Sequence, residues 1–241
     1  SIRSLILSMI GIFIPAYILS LGYNINNIII YYLIFSVAIF LFTPIATKFI
    51  SKAGLKFSIV TSFPLLVIAY LLLYSSEIHK ISIYWSLIPT ILSFLSFWPA
   101  FHIDFAFNSN KNNRGHEVGY IQILSIILAS IGPILAAFII LFFGFSVLFI
   151  TISILMLLAI IPLYNIEEKY PKHRFNLKDL MLKKRALRDY FIFFSEGIDI
   201  MSDGVLWPLF IYLMFRNYLV LGYAGSLLSL SLLIPVYIAS R

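Results

Sequence analysis

The stretch Thr47-Lys48-Phe49-Ile50-Ser51-Lys52-Ala53-Gly54-Leu55-Lys56 places three lysines and a glycine between two long apolar runs, 27–47 and 57–75. Each run is close to the roughly 20 apolar residues that a helix needs to cross a bilayer. The basic ten residues therefore read as a tight turn on one face of a membrane. Working outward, six further runs of similar length appear: 4–21, 82–107, 118–142, 144–164, 190–214 and 219–239. We number these eight runs as spans 1 to 8 in chain order.

The gaps between spans alternate in charge. Arg3 precedes span 1, Lys48, Lys52 and Lys56 follow span 2, Lys111 and Arg114 follow span 4, Lys169 to Arg188 follow span 6, and Arg241 follows span 8. The intervening gaps are nearly free of positive charge: 22–26, 76–81 with Lys80 alone, the turn at Gly144, and 216–218 with Arg216 alone. Lysine and arginine accumulate on the cytoplasmic side. The pattern thus predicts an all-α polytopic membrane protein with both ends cytoplasmic.

Composition agrees. Apolar residues make up 61% of the chain and charged residues 11%, with a mean hydropathy of +1.01. A soluble domain carries about 25% charged residues, so that class is excluded. The net charge of +7 lies mainly in the basic gaps. It points to anionic lipid as the partner of those faces and not to nucleic acid. With no cysteine in the chain, disulfides, thiolate metal sites and cysteine nucleophiles are excluded.

Two echoes suggest a unit that begins again. Gly11-Ile12-Phe13-Ile14-Pro15-Ala16-Tyr17 in span 1 is matched by Gly204-Val205-Leu206-Trp207-Pro208-Leu209-Phe210 in span 7. Phe49-Ile50-Ser51-Lys52 is matched by Ile238-Ala239-Ser240-Arg241. The expected organisation is a six-helix bundle over 1–164, a basic cytoplasmic linker over 165–189, and the start of a second bundle over 190–241. Since the chain starts at Ser1 and stops just after span 8, it is expected to be a fragment. Parallel six-helix repeats that rock about a site between them are a transporter design.

The turn at 47–56 resembles the loop between helices 2 and 3 of the major facilitator superfamily, Gly-x-Leu-Ala-Asp-Arg-x-Gly-Arg-Lys. Lys52 stands at the first arginine, Gly54 at the second glycine and Lys56 at the closing basic residue. Thr47 replaces the first glycine and Ser51 the aspartate, so the latch that this aspartate provides in the family is missing its acid. Gly132-Pro133-Ile134-Leu135-Ala136-Ala137 in span 5 is similar to the family's Gly-Pro-x-x-Gly-Gly element, which accompanies exporters that exchange substrate for protons. Arg114-Gly115, Gly119 and Trp98-Pro99 extend the resemblance over the whole chain. It implies a secondary transporter working by alternating access, with the cytoplasmic gate at Lys52, Gly54, Lys56, Asp104 and Arg114 and a bend at Gly132 and Pro133.

Span 7 holds the sharpest chemistry, at Glu196, Asp199 and Asp203. At 100° per residue these acids fall within about 60° of arc, with Trp207 and Phe210 on the same face. Asp203 is expected about 20 Å along the span. An aspartate at such depth costs about 2.5–3.5 kcal/mol on insertion scales, so the stripe should face a bundle interior or a wet cavity. A proton or cation relay is the functional reading. His102 in span 4 can titrate near neutrality. Asp104 is expected to pair with Lys52 or Arg114, while Gln122 and Tyr17 are cavity-lining candidates. Asn176 to Arg188 reads as a capped amphipathic helix lying on headgroups.

These features favour a multi-pass plasma-membrane transporter, monomeric, carrying a small molecule with protons and needing no cofactor or bound metal. The absence of an ATP-binding loop leaves an ion gradient as the energy source. The alternative is a membrane enzyme acting on prenyl diphosphates, with Asp199 and Asp203 holding Mg²⁺. A channel or scaffold has no positive sign in the sequence.

Overall fold

The structure is a computed structural model that describes residues 2–108, 114–164 and 201–239. Among these residues all regular structure is helical. Six helices are long and apolar enough to cross a membrane: Ile2–Ser20, Ile25–Ala53, Leu55–His79, Ile83–Phe105, Val118–Leu163 and Tyr218–Ile238. The protein is therefore an all-α polytopic membrane protein. A shorter apolar helix, Ser202–Phe215, is the described part of span 7.

Val118–Leu163 accounts for two of the expected spans. A straight helix of 46 residues would be about 70 Å long, more than twice the hydrocarbon core. Gly144 interrupts it with φ 80° and ψ 177°. Beyond that residue the Ser146 hydroxyl donates to the Glu77 carboxylate at 3.2 Å, and Phe149 lies 6.4 Å from Tyr70. Tyr70 is two turns back from Glu77 along span 3, so the chain reverses at Gly144 and span 6 runs back beside span 3.

Local chemistry explains the other boundaries. The Asn24 side chain caps span 2 by accepting from the Asn27 amide at 2.9 Å. Span 2 ends and span 3 begins on the same residue, Gly54, whose φ of 103° an L side chain rarely adopts. Span 1 breaks after Gly11 and resumes at Ile14, because Pro15 cannot donate to the carbonyl four residues back. Asn217 opens span 8 by accepting from the Leu219 amide at 2.8 Å.

Hydroxyls inside the spans bond to their own helices. Thr43 donates to the Ile39 carbonyl at 2.6 Å, Ser76 to Leu72 at 2.9 Å and Thr151 to Val147 at 2.8 Å. Such back-bonding removes the penalty of an open hydroxyl in an apolar medium. The main core runs along spans 1, 3 and 6, through Ile6, Phe13, Tyr17, Leu73, Phe149 and Ile152, all nearly inaccessible.

Small residues set the closest approaches. A Cβ added at Gly132 would fall 2.8 Å from the Leu5 carbonyl oxygen, so span 5 presses directly on span 1. One added at Gly222 would fall 2.6 Å from the Ala137 Cβ and 2.8 Å from the Pro133 carbonyl oxygen, so span 8 presses on span 5. Gly132 to Ala137 thus forms a seam with a helix on each side.

Candidate functional site

In span 7 the acid lies in a distorted turn. Ser202–Leu206 forms a π-turn, closed by the Trp207 amide donating to the Ser202 carbonyl five residues back. Pro208 cannot donate to the Gly204 carbonyl, and here the ladder widens by one residue. Asp203 sits in this turn on the exposed side of the helix, and Trp207 and Phe210 are also exposed, at 51% and 56%. Their rings meet edge to face at 5.8 Å. Val205, Pro208, Leu209 and Tyr212 take the buried side. Glu196 and Asp199, like the amphipathic stretch 176–188, lie outside the described residues.

Span 4 carries an aromatic row at intervals of four: Phe94, Trp98 and His102. The His102 ring stacks on Trp98 at 5.6 Å and 26°, and Phe94 meets Phe35 of span 2 edge to face at 5.4 Å. His102 and Gln122 are both exposed. No hydrogen bond or ring contact joins His102, Gln122 and Asp203 among the described residues. Tyr17 occupies a different environment. It is 1% exposed, its hydroxyl donates to the Leu73 carbonyl at 2.7 Å, and its ring packs against Phe145 and Phe149 at 4.8 and 4.9 Å. Tyr17 is therefore a core residue here and lines no open surface.

At the basic turn Lys52 is exposed, and Lys56 and Asp104 are both engaged in contacts. Ile50, Leu55 and Ala100 form a small apolar cluster with Ile103 beside it, which docks the turn onto span 4 close to Asp104. The Arg114 side chain is not described.

Arg3 departs from its expected place in a cytoplasmic gap. It is 9% exposed, its guanidinium lies 3.6 Å from the Phe97 ring centroid and 5.3 Å from that of Phe63, and its Nη1 donates to the Ser62 hydroxyl at 3.4 Å. The Nε has no hydrogen-bond partner among the described residues. Ser62 is eight residues beyond Gly54, about 12 Å along span 3. Arg3 is thus inside the bundle, between spans 1, 3 and 4. Its position after a single apolar residue gave no sign of depth; the aromatic and serine residues of spans 3 and 4 receive it, and only tertiary packing brings them together.

These observations define a class: a polytopic helical membrane protein with a kinked first span, a small-residue seam on span 5 and an exposed acid on a distorted seventh span. The sequence model of the Major Facilitator Superfamily matches residues 1–241. The chain belongs to that family of transporters. No curated protein and no solved structure gives a match.

Proposed function

We propose that this member of the family moves a small molecule across the plasma membrane against a flow of protons, as a monomer. Both ends of the chain face the cytoplasm, and spans 1, 4 and 7 line the path. The chain divides into a six-helix bundle over 1–164, a basic linker over 165–189 and the start of a second bundle over 190–241. Export is the favoured direction, on the likeness of Gly132-Pro133 to the exporter element.

The observation that carries the coupling assignment is Asp203. It is the one acid in the described part of span 7, in a π-turn and exposed, with no hydrogen-bond partner among the described residues. A carboxylate so placed in the membrane is costly unless it is hydrated or protonated, and a group that alternates between those two conditions carries protons. Trp207 and Phe210 beside it supply aromatic faces for a lipophilic or cationic substrate.

The test is uptake in inverted vesicles under an imposed pH gradient, with ethidium as a probe substrate and a pH-sensitive dye reporting proton release. Asp203→Asn should abolish gradient-driven accumulation while the protein's thermal unfolding stays unchanged. Proton release of wild-type size in that variant would remove Asp203 from the coupling path.

A further inference from the structure

Spans 7 and 8 meet the six-helix bundle in two places of different character. Nearer the middle, Gly222 and Gly225 press on span 5 and span 1. A Cβ on Gly225 would fall 2.6 Å from Ile12 Cδ1 and 3.5 Å from Pro133 Cβ. Four residues before Gly222 the contact is aromatic. Tyr218 stacks on Tyr212 at 5.0 Å and 21°, and the Tyr212 hydroxyl donates to the Tyr218 hydroxyl at 3.0 Å. On its other side Tyr218 meets Phe145 edge to face at 5.3 Å and 86°. Phe145 in turn packs on Tyr17, and the Tyr218 hydroxyl neighbours Ser20.

Tyr218 thus stands between two tips. Tyr212 and Tyr218 flank the turn at Arg216 and Asn217, while Phe145 follows the turn at Gly144. Both turns belong to the set of gaps nearly free of positive charge, Arg216 being the one cation in them, on the face we read as external. The two contacts have opposite mechanical properties. The bare glycine backbone pressed against Pro133, Ala137 and Ile12 at the seam leaves little room to slide, although the helices can tilt there. Ring edges at an interface can part, and their hydroxyls find water when they do.

We propose that Tyr218, held between Tyr212 and Phe145, is the latch of the outer gate, and that the seam of Gly222 and Gly225 on Pro133 is the pivot about which it opens. The proposal rests on the transporter reading and on the orientation given above. It makes the outer closure aromatic and hydroxylic, with the Arg216 guanidinium 5.9 Å from the Tyr212 ring centroid, so it should respond to ring removal.

The test uses the absence of cysteine from the chain. A reporter cysteine at Leu209, 5% exposed and one turn from Tyr212, is probed in intact cells with a membrane-impermeant maleimide. A second reporter at Ala100, fully buried in the separate cluster beside the basic turn and therefore probed with a membrane-permeant maleimide, serves as a control for unfolding. Adding Tyr218→Ala to Leu209→Cys should raise labelling about three- to tenfold, the shift that loss of the aromatic contact to Phe145 imposes on a two-state equilibrium. Tyr218→Phe, which keeps the ring and loses the hydroxyl, should raise it about two- to threefold.

Unchanged labelling at Leu209→Cys in the Tyr218→Ala background overturns the latch. So does a parallel rise at Ala100→Cys, which would signify unfolding, or a rise seen only in inverted vesicles. Labelling needs no substrate. A latch that opens in a protein without proton-coupled flux would refute the coupling reading alone, and flux with an unresponsive reporter would refute the latch alone.

Discussion

Spans 5 and 7 each contain a glycine and a proline, and the structure uses the two pairs in opposite ways. In span 5, Gly132 and Pro133 are adjacent, the helix continues through them, and the bare backbone of Gly132 is pressed against Leu5 and Met9 of span 1. In span 7, Gly204 precedes Pro208 by four residues, the carbonyl of one loses the amide of the other, and the helix opens into a π-turn. There a Cβ on the glycine would meet no atom of the described residues within 4 Å. The two glycines thus serve different ends: in span 5 the bare backbone is a surface for packing, and in span 7 the glycine belongs to the distorted turn that carries Asp203.

Substitutions can break this contrast. The largest effect should come from Gly132→Val, which forces branched atoms into the Leu5 backbone. We expect a loss of about 3 kcal/mol, the upper end for overpacking, read as a fall in thermal unfolding temperature in detergent micelles. A variant as stable as the wild type would show that spans 1 and 5 are not in close contact. Pro208→Ala comes next. By restoring a donor to the Gly204 carbonyl it should convert the π-turn to α-helix, raise stability by about 1 kcal/mol and lower proton-coupled flux by turning Asp203 away from its present direction. Undiminished flux would separate the π-turn from coupling. The smallest effect belongs to Gly204→Ala, expected to stabilise by about 0.5–1 kcal/mol through helix propensity alone. Destabilisation there would mean that Gly204, like Gly132, meets a neighbour.

Much of the architecture is legible in the sequence because it rests on local signals. The charge alternation, the lengths of the apolar runs and the glycines at positions 54 and 144 state where helices start, stop and reverse. The π-turn is not legible in the sequence, since Pro44, Pro64, Pro99 and Pro133 remove the same backbone bond inside α-helices. Residue environments were less accessible. Arg3 counted as one more positive charge outside the membrane, because a charge tally has no depth axis; its acceptors, Ser62, Phe63 and Phe97, lie in other helices. Tyr17 carries a polar tip on an apolar span, and that composition serves equally a residue lining a cavity and one bonding a neighbouring helix. The Leu73 carbonyl, 56 positions away, decides for the latter. Tyr212 and Tyr218 passed unnoticed for the same reason: interfacial tyrosines are common, and Phe145 gives them a partner only in three dimensions.

The reversal at Gly144 has a consequence for how this protein is made and mapped. One residue joins spans 5 and 6, and Phe142 and Phe143 beside it are 69% and 67% exposed. Such a tip has no hydrophilic stretch of its own, so on the external face proposed for it the two helices would have to enter the membrane together as a hairpin. Proteases and antibodies meet no loop there, and an epitope inserted after Gly144 would have to be carried across by a pair of helices with no aqueous segment of their own.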